Sequence, residues 1–203
     1  MTKRQLAFLF LFCPMGLLFA QGGKTDAPAP AFDSAGYAVM GKRELKASMG
    51  RAGTDRMEMQ AEIVNELRLN PGGRQAMIAA IYLAGLDRME RTAADLARVI
   101  DFKGDPVEIV KGSMPLWGEF PAAEAMEKIG APSTGPLLEL LGATDQPMRR
   151  DLALSVLREV DGDESVTEGR LERARDAEKD SSKKQRLESC LGRLRDPKFE
   201  GLW

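Results

Sequence analysis

The chain has 203 residues, 43% of them hydrophobic and 30% charged, which fits a soluble globular domain of ordinary size with additional segments. Its formal charge of −2 leaves no clustered basic excess of the kind a nucleic-acid surface needs. It contains no histidine, so the commonest general base and the commonest nitrogen ligand for metals are both missing.

Only 6% of the residues are aromatic, while Ala, Leu, Met, Glu and Arg are abundant. Unbranched side chains lose little rotamer freedom in a helix, so this bias predicts an all-α fold.

Met1-Thr-Lys-Arg4 is a short cationic start, followed by the apolar run Leu6 to Ala20. The run has fifteen residues, interrupted by Pro14 and Gly16, against the roughly 20 that a spanning helix needs. With Ala20 as a small residue before the cut, residues 1–20 read as a secretory signal peptide. An uncleaved anchor would be longer and free of Pro14. A lipoprotein signal would need a small residue where Phe12 stands before Cys13. Removal of residues 1–20 takes Lys3 and Arg4 away and leaves 27 basic against 31 acidic residues, a charge of −4. It also takes Cys13, so Cys190 is the single thiol of the exported chain and no internal disulfide forms. No stable membrane span is expected after cleavage.

Residues 21–53 read as a Gly/Ala/Pro-rich flexible linker, with a short helix over Tyr37 to Met49 weakened by Gly36, Gly41 and Gly50. The helical body is expected over 54–203. Thr54 or Asp55 is suited to cap its first helix, in which Met57, Ala61, Val64 and Leu67 recur at helical spacing. Glu58, Glu62 and Glu66 form an acidic row read as the wet face. Asn70-Pro71-Gly72-Gly73 stops that helix. Arg74 to Leu86 is strongly helical and so apolar that it needs cover on more than one side, with Met77, Ile81 and Ala84 on its main stripe. After Asp87-Arg88, Glu90 to Ile100 continues as a second helix, with Ala93, Leu96 and Ile100 in register. The short turn predicts that the two pack antiparallel as an αα-hairpin.

Asp101 to Leu116 holds two glycines and two prolines and reads as an irregular connection. Asp101 and Asp105 lack the acidic ladder of a calcium loop. Glu119 to Ile129 is expected as helix, closed by Gly130 and Pro132. Thr134 to Leu141 follows, with Leu137, Leu138, Leu140 and Leu141 apolar nearly all round. Asp145 is expected to cap the next helix, with Pro147 in its first turn and Ala153, Leu157 and Val160 facing inward, until Asp161-Gly162-Asp163 ends it. The last pair starts near Glu164, with Val166 or Thr167, Leu171 and Ala174 inside. Ser182 and Gln185 show capping-box spacing, and Leu187, Cys190, Leu191 and Leu194 face inward. Phe199, Leu202 and Trp203 are expected to fold back over the open end, the alternative being a terminal Trp203 presented to a partner.

Three apolar helices end near Gly85, Gly130 and Gly162, at intervals of 45 and 32 residues, and the first interval includes the 101–116 connection. A unit near 30 residues made of two antiparallel helices is the pattern of a solenoid. One stretch carries several of its residues at once: Ile129-Gly130-Ala-Pro132, Gly135-Pro136-Leu137-Leu138-x-Leu140-Leu141, Asp145-x-Pro147 and Arg150-x-x-Ala153-x-x-x-Leu157-x-x-Val160. This stretch resembles HEAT repeats, well over 119–162, more loosely over 74–100 and weakly over 164–195. The resemblance implies outer helices ending near the glycines and a Leu-rich inner helix at 134–141. It implies a short αα-superhelix. No two units match closely and the 101–116 connection breaks the register, which leaves an irregular helical bundle as the alternative architecture. It also implies that the protein binds other macromolecules, since HEAT-like arrays carry little chemistry of their own.

The residues agree on that last point. There is no Gly-rich phosphate loop, no paired Cys/His ligand set and no serine nucleophile elbow, and without histidine no Ser-His-Asp or Cys-His site can form. Cys190 lies on an apolar stripe and reads as core. Glu124 and Glu127, or Asp161, Asp163 and Glu164, are unremarkable carboxylates in so acidic a chain. No catalytic, cofactor-binding or metal residue is therefore expected, and no cofactor. The leading expectation is an exported, periplasmic or secreted, non-enzymatic scaffold that binds a protein or peptide partner. The alternatives are a lyase of the HEAT-like kind that acts on tetrapyrrole-bearing proteins, and a structural or lipid-associated envelope protein. The oligomeric state is not legible.

Overall fold

A computed structural model describes residues 56–70, 72–104 and 116–199. The expected signal peptide, the linker with its short helix, the caps Thr54 and Asp55, the centre of the 101–116 connection, Leu202 and Trp203 lie outside the described residues.

All regular structure among the described residues is helical. The α-helices are α1 (Arg56–Leu69), α2 (Gly73–Leu86), α3 (Ala93–Arg98), α4 (Leu116–Glu119), α5 (Pro121–Ile129), α6 (Thr134–Ala143), α7 (Pro147–Asp161), α8 (Glu164–Ala177) and α9 (Ser181–Leu194), with single 3₁₀ turns at Glu90–Thr92 and Ala131–Ser133. Two rows emerge from their packing. Helices α2, α5 and α7 pack in succession, and so do α3, α6 and α9. Helix α1 lies on α2, α6 lies on α7, and α8 lies chiefly on α9.

The breaks follow local chemistry. Asn70 takes a left-handed φ of 49° beyond α1. Gly162 takes φ 69° at the end of α7, and its amide donates back to the Arg158 carbonyl. A left-handed residue there releases the chain from the helix while satisfying one of its last carbonyls. Pro147 opens α7 as expected.

The core matches most of the inward residues read from periodicity. Ile81, Leu96, Ile100, Leu137, Leu141, Leu157, Leu171, Cys190 and Leu191 are all fully covered. Helix α2 is buried on several sides, from Ala76 and Met77 round to Leu83 and Ala84. Phe199 folds back against the core, with the Arg193 guanidinium 4.8 Å above its ring.

Several expectations need correction. On α1 the inward stripe is Met59, Ile63 and Leu67, while Met57 is 81% exposed. Two apolar stripes share Leu67, and the one carrying the larger Ile63 is buried. The acidic row is not uniformly wet. Glu58 and Glu62 are exposed, but Glu66 is buried, and both its carboxylate oxygens accept from the Gly72 amide at 3.2 Å. It ties down the turn between α1 and α2. Glu119–Ile129 is not one helix either: it breaks at buried Phe120, and α5 starts at Pro121.

The expected hairpin of α2 with the following helix does not form. Helix α3 is only six residues long and packs on α5, α6 and α1 instead. Arg88 turns left-handed after α2, and buried Met89 redirects the chain. Gly85 explains what takes the vacated flank of α2. A Cβ placed there would stand 2.7 Å from the Ala125 Cα, so the bare glycine lets α5 lie directly on α2.

Glu66 carries a pH prediction. Burial pushes its carboxyl above the ordinary range, opposed by the Gly72 amide and reinforced by nearby Glu62. A carboxyl held higher in the folded chain favours folding while it is protonated. That contribution is lost as pH rises from the ordinary glutamate value through the raised one. Glu66→Gln is therefore expected to raise the denaturation midpoint at pH 7, and the advantage should vanish below the ordinary glutamate range. Urea melts at the two pH values check this, and a variant equally stable with wild type at both contradicts it.

Candidate functional site

Two depressions flank the first half of α9. The first is a groove of about 270 Å³ between α6, α8 and α9. Its walls are Gly135, Leu138 and Gly142 from α6, Ala174 from α8, and Lys183 and Leu187 from α9, with Glu139 and Glu178 also lining it. Helical spacing builds it. Leu137 and Leu141 turn into the core, and Leu138, one position on, is left half-covered at the groove. The Lys183 stem lies over Gly142 of α6, 3.7 Å from where a Cβ would stand there.

The second depression is a polar notch of about 360 Å³ on the other side of α9. It is lined by Thr144 and Asp145 before α7, Arg150 in the first turns of α7, and Ser182, Gln185, Arg186 and Ser189 on α9. Arg186 grips Asp145 with both arms, at 2.6 Å from Nε and 2.9 Å from Nη2. That bond holds the Asp145 carboxyl below its usual range and the Arg186 guanidinium above its own. Asp145 therefore does not cap α7. Residue Gln146 occupies the cap position, with no side-chain bond to the helix, and its own amide donates to the Thr144 hydroxyl at 3.2 Å.

Ser182 and Gln185 do not form the expected capping box. Asp180 caps α9 instead, accepting from the amides of Ser182 at 2.8 Å and Lys183 at 3.0 Å. The two side chains are thereby released to line the notch. At the other side of Arg150, Asp151 is engaged by Arg193 at 3.1 Å and 3.4 Å. Arg150 reaches Asp151 only at 3.7 Å, and its buried Nε has no hydrogen-bond partner among the described residues.

Several of the remaining groups singled out in the sequence hold the fold together. Cys190 is fully covered, and burial pushes its thiol up to about 11, far from a reactive thiolate. Glu124 pairs with Lys128 on the same helix, and Asp161 is held by Arg170 at 2.9 Å and by the Thr167 hydroxyl at 3.1 Å. Asp163 caps α8 through the Ser165 amide. Asp101 lies 3.7 Å from Arg149, which donates to the carbonyls of Ala97 and Arg98 at the end of α3. Among the described residues no cluster of carboxylates and thiols could hold a metal ion, and no helix is long and apolar enough to cross a membrane.

Sequence reasoning placed no site residue, and it missed both depressions. Helical spacing alone could have marked Leu138 as a second apolar face on α6. Nothing in the sequence links Arg186 to Asp145 across 41 positions. No protein-family profile, characterised protein or solved structure matches this chain.

Proposed function

We propose that the protein is an exported, non-enzymatic scaffold, a short HEAT-like stack of helix pairs that binds a segment of another exported protein around α9. The single observation that carries the reading is the groove between α6, α8 and α9. An apolar wall left half-covered at a seam between helices is where a partner side chain gains most from burial. The two rows of packed helices support the stacked architecture. The register departs from a regular array, because α9 rather than α8 holds the place beside α6. The lyase-like and envelope-structural readings have no comparable observation behind them.

The test is site-specific photocrosslinking in the producing cells. A photoreactive residue in place of Lys183, at the groove, is expected to give a discrete adduct with a second protein. The same residue in place of exposed Arg173 on α8 is expected to give none. Mass spectrometry of the recovered chain should place its N-terminus at Gln21. Equal labelling at both positions, or a recovered chain that retains Met1, would overturn the corresponding half of the proposal.

A further inference from the structure

Arg149 and Arg150 each keep a buried Nε without a hydrogen-bond partner among the described residues, and of the two Arg150 lines a cavity. The Arg150 side chain is 26% exposed and opens into the notch, yet its buried Nε has no hydrogen-bond partner among the described residues and reaches Asp151 only as an ion pair at 3.7 Å. The carboxylates that could have claimed it are committed elsewhere. Asp145 is bound by both arms of Arg186, and Asp151 is bound by both arms of Arg193. A half-sequestered guanidinium that has only this one long ion pair in exchange for lost water is unfavourable unless something else supplies closer acceptors.

The rest of the notch is suited to an anion. Ser182, Ser189 and Gln185 bring hydroxyl and amide donors to the same space. The α7 N-terminus beside it carries no side-chain cap, so its partial positive charge is not offset there. With Arg186 and Asp145 cancelling, the lining has one net positive charge, that of Arg150.

We propose that this notch is a carboxylate-binding site, in which the Arg150 fork takes both oxygens of a carboxylate and the serine and glutamine side chains of α9 complete its shell. The flat fork matches a planar carboxylate with two parallel bonds, and the notch is large enough for a small organic acid, a peptide C-terminus or an acidic side chain. The site goes beyond the groove reading and does not depend on what occupies the groove.

Sodium acetate titrated into the full chain tests it, with the Arg150 Nε–Hε resonance as the readout and sodium chloride at matched ionic strength as the control. Acetate is expected to shift the signal saturably, and chloride is not. Sodium phosphate is the third arm, and tighter binding of phosphate than of acetate would overturn the carboxylate assignment. Losing a charged hydrogen-bond pair typically costs about tenfold or more in affinity. Arg150→Gln should therefore weaken acetate by about tenfold, read from backbone amide shifts of Ser182 and Ser189. The doubly substituted Gln185→Ala, Ser189→Ala chain, altered only at exposed positions, should weaken it while keeping the wild-type denaturation midpoint. If Arg150→Gln fails to fold, this second chain decides. Acetate affinity unchanged in a folded variant, or an equal response to chloride, overturns the site.

Discussion

Replacing Gly85 with valine is expected to lower the free energy of unfolding by about 1–3 kcal/mol, the usual cost of forcing extra atoms into a packed seam. The added Cβ would stand 2.7 Å from the Ala125 Cα and 2.9 Å from its Cβ. The obstacle is backbone and a methyl group, with no flexible side chain able to swing aside. Valine gains only a few tenths of a kcal/mol over glycine in helix propensity, so the clash wins. Two outcomes would be diagnostic in a urea melt. A large drop means that the direct α2–α5 contact holds the helical body together. A midpoint within about 0.5 kcal/mol of wild type would mean that the two helices do not touch there.

The second large effect separates two adjacent leucines on α6. Leu137 is fully buried, and Leu137→Ala is expected to cost about 2–5 kcal/mol through lost burial and the cavity left behind. Leu138 is half-covered at the groove, and Leu138→Ala should cost about 1 kcal/mol or less. Equal losses at the two positions in thermal melts would show that the groove is part of the packed interior.

Much of this architecture is legible in the sequence because helix periodicity and breakers act locally. Pro147 starts α7 and Gly162 ends it, while Leu187, Cys190, Leu191 and Leu194 all face inward as their spacing requires. The failures are tertiary. Periodicity put Met57, Ala61, Val64 and Leu67 on the inner stripe of α1, and packing buries Met59, Ile63 and Leu67 instead. A short turn after Leu86 suggested a hairpin, but Gly85 gives that flank of α2 to α5. Asp145 and Ser182 stand at positions that cap helices in many proteins. Here Asp145 is drawn away by Arg186, and Asp180 has already capped α9. The notch thus arises from ion pairs formed between residues distant in sequence, and Arg150 is conspicuous only once those pairs are known. The groove arises from α9 taking the place beside α6 that chain order would give to α8.

The groove beside α9 is proposed as a binding surface on a fold that does not need it for stability. Leu138→Arg in the chain carrying the photocrosslinker at Lys183 tests both halves at once. A charged side chain at the half-covered wall should abolish the adduct, while the melting temperature falls by no more than about 4 °C, the shift expected for a loss near 1 kcal/mol in a chain of this size. An adduct that persists undiminished in the folded variant would contradict the account, and so would a variant that no longer folds.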